Sequence, residues 1–149
     1  MLICQIVWKL ISIIIDVEVA FLNGELEEIV YMECPEGVDC NDDEVLLLLK
    51  SIYGLVQAAR QFFIKFNQVL TKIGFTQSKA EPCLFYKRFD DHMMLIIIHV
   101  DDYYVIGKPD SIKKTISDIQ ANGLKLKVNQ DTKDYLSCEI SSNNNKSKA

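Results

Sequence analysis

Apolar positions along this chain follow two different periods. Ile11 to Val17 (ISIIIDV) is a β-branched run that reads as a buried strand, with Asp16 near its end. Asn23-Gly24 is a turn signal. IVYME and Val45 to Leu49 read as short strands around a solvated acidic loop, PEGVDCNDDE. Between Gln57 and Ile73 the spacing changes to threes and fours. Ala59, Phe62, Phe63, Phe66, Val69, Leu70 and Ile73 form one face of a helix that Gly74 stops.

Strand patterning then returns. Cys83 to Lys87 and Met94 to Val100 flank a turn at Asp90-Asp91, and Tyr103 to Ile106 continues beyond a pair of acids. Gly107-Lys108-Pro109 ends that run, and Asp110 or Ser111 can cap a helix reaching about Gln120. After Asn122-Gly123, GLKLKV alternates as an edge strand with Lys125 and Lys127 on its open face. YLSCEI is a last short strand, and the polar residues 142–149 read as a disordered tail after a domain at 1–141. Strands and helices in this mixed order predict an α+β fold: a mostly antiparallel sheet with helices packed on one face.

Composition narrows the function classes. The 149 residues are 49% hydrophobic and 25% charged, as in a globular domain. A net charge of −5 argues against a generally basic surface that coats nucleic acid. The N-terminal MLICQIVWKLISIII is interrupted by Gln5, Lys9 and Ser12 and falls short of the roughly 18 apolar residues of a membrane span. It lacks the marks of a signal peptide and reads as a core helix or strand, so an intracellular, cytoplasmic location is expected. The five cysteines contain no C-x-x-C pair; reduced thiols are expected, and a zinc site is not.

The chemistry concentrates in LIIIHVDDYYVIG. Asp101 and Asp102 interrupt an apolar run, where two carboxylates are costly to bury without a cation. They mark either a hairpin tip or a metal site. Asp16 ends a second apolar run, so if the two strands are neighbours three carboxylates converge. Magnesium would remove their repulsion, since it takes one or two carboxylates together with substrate phosphates.

DVEVAFLNGELEEIVYMECPEG, then KSIYGLVQAARQFFIKFNQVLTKIGFTQSKAEPCLFYKR, then HVDD, resembles the reverse transcriptase domain of copia-type retrotransposon Pol polyproteins. The similarity is ordered and covers about residues 10–141. It implies a polymerase palm holding two Mg²⁺ ions, with Mn²⁺ as a substitute, on Asp16, Asp101 and Asp102. The Val17 backbone would contact the incoming triphosphate. Phe21 falls where the family places an aromatic gate against the ribose 2′-hydroxyl, or is simply a core aromatic. Tyr53-Gly54 matches the turn before the palm helix. Gln57 and Arg60 match polar positions that reach the substrate or cap that helix. RNA template, DNA primer, dNTPs and other Pol segments are the implied partners, and no membrane is.

Departures from the family pattern are His99 for the usual tyrosine, Val56 and Ala59 in VQAAR, Glu18 for a common lysine, and Ser137-Cys138 for a usual glycine. Set against the family, a partial palm is expected, without the fingers and thumb. Three functions are compatible with these residues: an active polymerase domain, a truncated remnant with little activity alone, and a domesticated non-catalytic binding or assembly module. The remnant is the expectation.

Overall fold

The computed structural model describes residues 10–41, 43–99, 102–129, 134–135 and 138–139. Strand β1 (Ile11–Val17) is followed by a 3-10 turn (Ala20–Asn23), β2 (Tyr31–Glu33) and β3 (Val45–Leu47). Helix α1 (Ala58–Lys72) leads through β4 (Thr76–Gln77) to β5 (Leu84–Arg88), β6 (Met93–His99) and β7 (Asp102–Gly107). Helix α2 (Pro109–Ala121), β8 (Leu126–Asn129), β9 (Asp134–Tyr135) and β10 (Cys138–Glu139) complete the order.

Six strands form the main sheet in the order β4-β5-β6-β7-β1-β8, and every neighbouring pair in it is antiparallel. Alternation divides its two faces. Ile13, Ile15 and Val17 of β1, Met94, Ile96 and Ile98 of β6, and Tyr103 and Val105 of β7 share a core with Phe62, Phe66, Val69 and Leu70 of α1 and Ile112 and Ile119 of α2. Both helices therefore cover one face. The opposite face holds a smaller cluster of Leu10, Ile14, Leu95, Tyr104 and Ile106. The expected α+β class, its antiparallel sheet and the one-sided helices are all present.

Local chemistry explains the element ends. Helix α1 stops where Gly74 takes φ +90°, and the Lys87 ammonium donates to the Ile73 carbonyl at 2.6 Å. Helix α2 starts on Pro109 rather than on an Asp110 or Ser111 cap, because proline needs no N–H at the first helical position. Gly107 ends β7 beneath that helix, where a Cβ would sit 3.1 Å from Met94 Cγ and 3.3 Å from Ile112 Cγ1.

Several other expectations need correction. Ala59 is exposed, and Ala58 continues the buried face of α1. The Val45 run is a strand as expected but ends at Leu47, two residues early: β2 and β3 pair with each other as a separate ribbon, on which Tyr31, Val45 and Leu47 are exposed. Cys34 and Cys40 form a disulfide and so are not reduced thiols, while Cys83 is free. Burial pushes the Cys83 thiol up, and the Glu81 carboxylate adds to the effect. Thr76–Gln77 is an unexpected edge strand. YLSCEI contributes the end of β9 and the whole of β10, two short strands that pair with each other. The N-terminal stretch before Leu10 and the tail at 142–149 lie outside the described residues. Among the described residues no helix is long and apolar enough to cross a membrane.

Candidate functional site

Residues directly opposite in an antiparallel ladder project to the same face. His99 of β6 is opposite Asp102 of β7, Asp102 is opposite Asp16 of β1, and Asp16 is opposite Lys127 of β8. Four strands thus supply one row, His99–Asp102–Asp16–Lys127. It lies on the face away from the helices, because Asp16 alternates with the core residues Ile15 and Val17, and Asp102 precedes the core residue Tyr103. Asp16 and Asp102 are half-buried; His99 and Lys127 are exposed. One step back along the strands the row becomes Ile97, Tyr104, Ile14 and Asn129, three of them apolar or aromatic.

Opposed pairs bring Cβ atoms to about 4.5–5.5 Å, so the two carboxylates repel unless a cation intervenes. As hard oxygen donors sharing one face, Asp16 and Asp102 fit a divalent ion whose remaining ligands are phosphate and water. Asp101 lies outside the described residues. Among the described residues no group of three or more His, Cys, Asp or Glu side chains could hold a metal.

The chain leaves β1 through a constrained turn. Val17 is 2% exposed, its side chain in the core beneath the helices. Val19 takes φ 48°, ψ 44°, a left-handed conformation that is unusual for a β-branched residue. The 3-10 turn is closed by Leu22 N–H to the Val19 carbonyl (2.9 Å) and Gly24 N–H to the Phe21 carbonyl (3.0 Å). Asn23 Nδ2 donates to the Val19 carbonyl at 3.1 Å.

Phe21 is half-buried, and its ring meets Tyr53 edge-on, with centroids 4.4 Å apart at 63°. Tyr53 is exposed, and Gly54 takes φ +95° in the turn toward α1. Gln57 occupies the N-cap position of α1 without a side-chain capping bond, and Arg60 is exposed in its first turn. The structure therefore brings together Asp16 with Asp102, and Phe21 with Tyr53.

Two residues near these positions are not tied to them by the sequence. The alternation of GLKLKV gave Lys127 its face, but nothing there showed that β8 would pair with β1. Ser51 is fully buried; its hydroxyl donates to the Phe21 carbonyl and its N–H to the Gly24 carbonyl at 3.2 Å. No sequence signal marked it.

The sequence model of the reverse transcriptase (RNA-dependent DNA polymerase) family matches residues 5–148. A retrovirus-related Pol polyprotein from transposon TNT 1-94 of Nicotiana tabacum is 39% identical over 97 residues, covering 63% of this chain and 7% of the relative. That from transposon RE2 of Arabidopsis thaliana is 32% identical over 127 residues, 84% of this chain and 9% of the relative. A putative transposon Ty5-1 protein of Saccharomyces cerevisiae is 34% identical over 99 residues, 65% of this chain and 32% of that protein. The matches to the two plant polyproteins thus span less than a tenth of those relatives. No solved structure matches the chain. The chain belongs to the reverse transcriptase (RNA-dependent DNA polymerase) family, on the branch found in the Pol polyproteins of copia-type transposons.

Proposed function

We propose that the acid row is the catalytic end of a polymerase palm and that the chain supplies the palm chemistry of RNA-directed DNA synthesis. The observation that carries this reading is the direct pairing of Asp16 with Asp102, from strands far apart in sequence, on the face that the helices leave open. Asp16, Asp101 and Asp102 would hold two Mg²⁺ ions, or Mn²⁺ in their place. Such ions lower the pKa of a primer 3′-hydroxyl and neutralise charge on a leaving pyrophosphate.

The remaining groups would bind and orient substrate. The Val17 backbone faces the triphosphate of a dNTP, and the Phe21 ring fills the space of a ribose 2′-hydroxyl. The Tyr53-Gly54 turn flanks the sugar and base, while Gln57 and Arg60 extend toward phosphate or template from the start of α1. RNA template and DNA primer are the nucleic-acid partners. With a net charge of −5 the 149 residues have little cationic field to hold them, so tight binding would draw on other Pol segments. Alone, the chain is expected to extend a primer weakly at most.

Mn²⁺ binding to the full chain tests the reading, by calorimetry and by paramagnetic broadening of signals from β1 and β7. Asp16→Asn and Asp102→Asn should each weaken binding on the order of tenfold or more. Equal Mn²⁺ affinity in both variants and the parent would overturn the assignment. Primer extension on an RNA template, with Asp101→Asn as the control, measures how much activity the chain has without further segments.

A further inference from the structure

We propose that Ser51 is a positioning residue for the Phe21 ring, and that the joint it forms sets the preference for deoxyribose over ribose. The proposal rests on the reading of Phe21 as the ring that meets the sugar.

Ser51 ties two distant parts of the chain together. Its hydroxyl holds the Phe21 carbonyl and its N–H holds the Gly24 carbonyl, so both bonds grip the exit of the turn that follows β1. The serine is fully buried, so water cannot replace a lost bond without opening the joint. Gly24 closes the other side. A Cβ there would lie 2.7 Å from Ser51 Oγ, 3.1 Å from Gln61 Cβ and 3.2 Å from Phe62 N, so the turn sits directly against α1.

Ser51 also leads straight to Tyr53, whose ring supports Phe21 edge-on at 4.4 Å. One short segment therefore fixes the Phe21 backbone from below and its ring from the side. The turn needs this restraint, because Val19 is held left-handed at φ 48° and would relax if the exit were released. Steric exclusion of one hydroxyl depends on ring placement to a fraction of an ångström. Small misplacements of a positioned group cost up to about 100-fold.

Two measurements on the full chain separate this proposal from the reading beneath it. The first uses no nucleotide: nuclear Overhauser cross-peaks between the Phe21 and Tyr53 rings, expected in the parent and in Ser51→Thr, and absent in Ser51→Ala. The second compares dATP with ATP binding in the presence of Mn²⁺. The parent should prefer dATP, Ser51→Ala should lose on the order of tenfold of that preference, and Ser51→Thr should restore most of it.

Ser51→Ala that retains the ring cross-peaks, or retains the full preference, overturns the proposal. A parent with no preference, together with no ring cross-peaks in Ser51→Ala, overturns the sugar role along with the reading of Phe21 and leaves a purely structural joint. If Ser51→Ala fails to fold by circular dichroism, Tyr53→Leu decides. It removes the lateral support at an exposed position, and an unchanged preference there overturns the proposal.

Discussion

Asp16 and Asp102 are direct cross-strand partners, the only acid-on-acid pairing in the described part of the main sheet. Lys127 stands opposite Asp16 on its other side. Reversing that charge aligns a third carboxylate with the pair. Lys127→Glu is expected to lower stability by about 1 kcal/mol in dilute buffer, and by less at high salt, where exposed charges are screened. Urea melts at low and high NaCl give the comparison; equal losses at both would mean that charge is not the cause.

The turn between β5 and β6 carries the clearest pH signature. Hydrogen bonds from Lys108, and then from His92 (Nδ1 to Oδ1, 2.6 Å), hold the Asp91 carboxyl at about 2, below its ordinary 3.8. A depressed carboxylate contributes stability that is present above pH 3.8 and is lost as pH falls through about 2. Lys108→Met should move the Asp91 titration, followed by its side-chain carbon shift, back toward the ordinary value. An unmoved midpoint would remove Lys108 as the main cause.

Lys87 joins the end of α1 to the sheet. Its ammonium bonds the Ile73 carbonyl and lies 5.7 Å from the centroid of Phe75 and 5.6 Å from that of Phe89. Lys87→Met keeps the apolar stem but removes the cap and the cation beside both rings. A loss of about 1–2 kcal/mol in chemical denaturation is expected, and Lys87→Arg should recover part of it.

Phe66 and Tyr103 stack at 4.3 Å between α1 and β7, one residue from Asp102. A double-mutant cycle with Phe66→Leu and Tyr103→Leu should give a coupling of about 0.5–1.5 kcal/mol. Additive losses would mean that the rings are merely co-buried.

The Cys34–Cys40 bridge closes the acidic loop between β2 and β3. Mass spectrometry after alkylation, with and without prior reductant, should show two further thiols released by reduction. Peptide mapping should place both in the segment from Tyr31 to Leu47. Full alkylation of Cys34 and Cys40 without reductant would exclude the bridge.

How far the sequence could be read depended on range. β1 and α1 emerged almost to the residue, because a β-branched run and a 3-4 spacing are local signals. The acid positions were equally plain, since carboxylates inside apolar runs stand out. Strand partners were not legible. The row could be drawn only after β7 paired with β1, and β1 with β8, and those pairings depend on packing between segments far apart in sequence. Val45 to Leu49 was legible as a strand, but its apolar side chains carry no record that Val45 and Leu47 would stand exposed on a separate two-stranded ribbon. Ser51 escaped because a buried serine is recognised by the acceptors of its hydroxyl and its N–H, the Phe21 and Gly24 carbonyls, and both belong to another segment. The cysteine bridge was missed because a count of five thiols says nothing about which two the fold brings together.

The placement of the acids also makes residue counting part of the chemistry. One residue inserted into or deleted from β1 or β7 would exchange the two faces of that strand from the lesion onward. Ahead of Asp16 in β1, such a lesion would turn that carboxylate beneath the helices, among Phe66 and its neighbours, at a desolvation cost of several kcal/mol; in β7, which Asp102 begins, it would turn Tyr103 and Val105 out of the core. A copy with such a lesion would lose its fold along with its carboxylates. Folding thus checks the spacing of the acid row. In-frame length changes are tolerable in the connections and damaging in these two strands, so an element drifting by small insertions and deletions would preserve the acid row for as long as it still made a foldable protein.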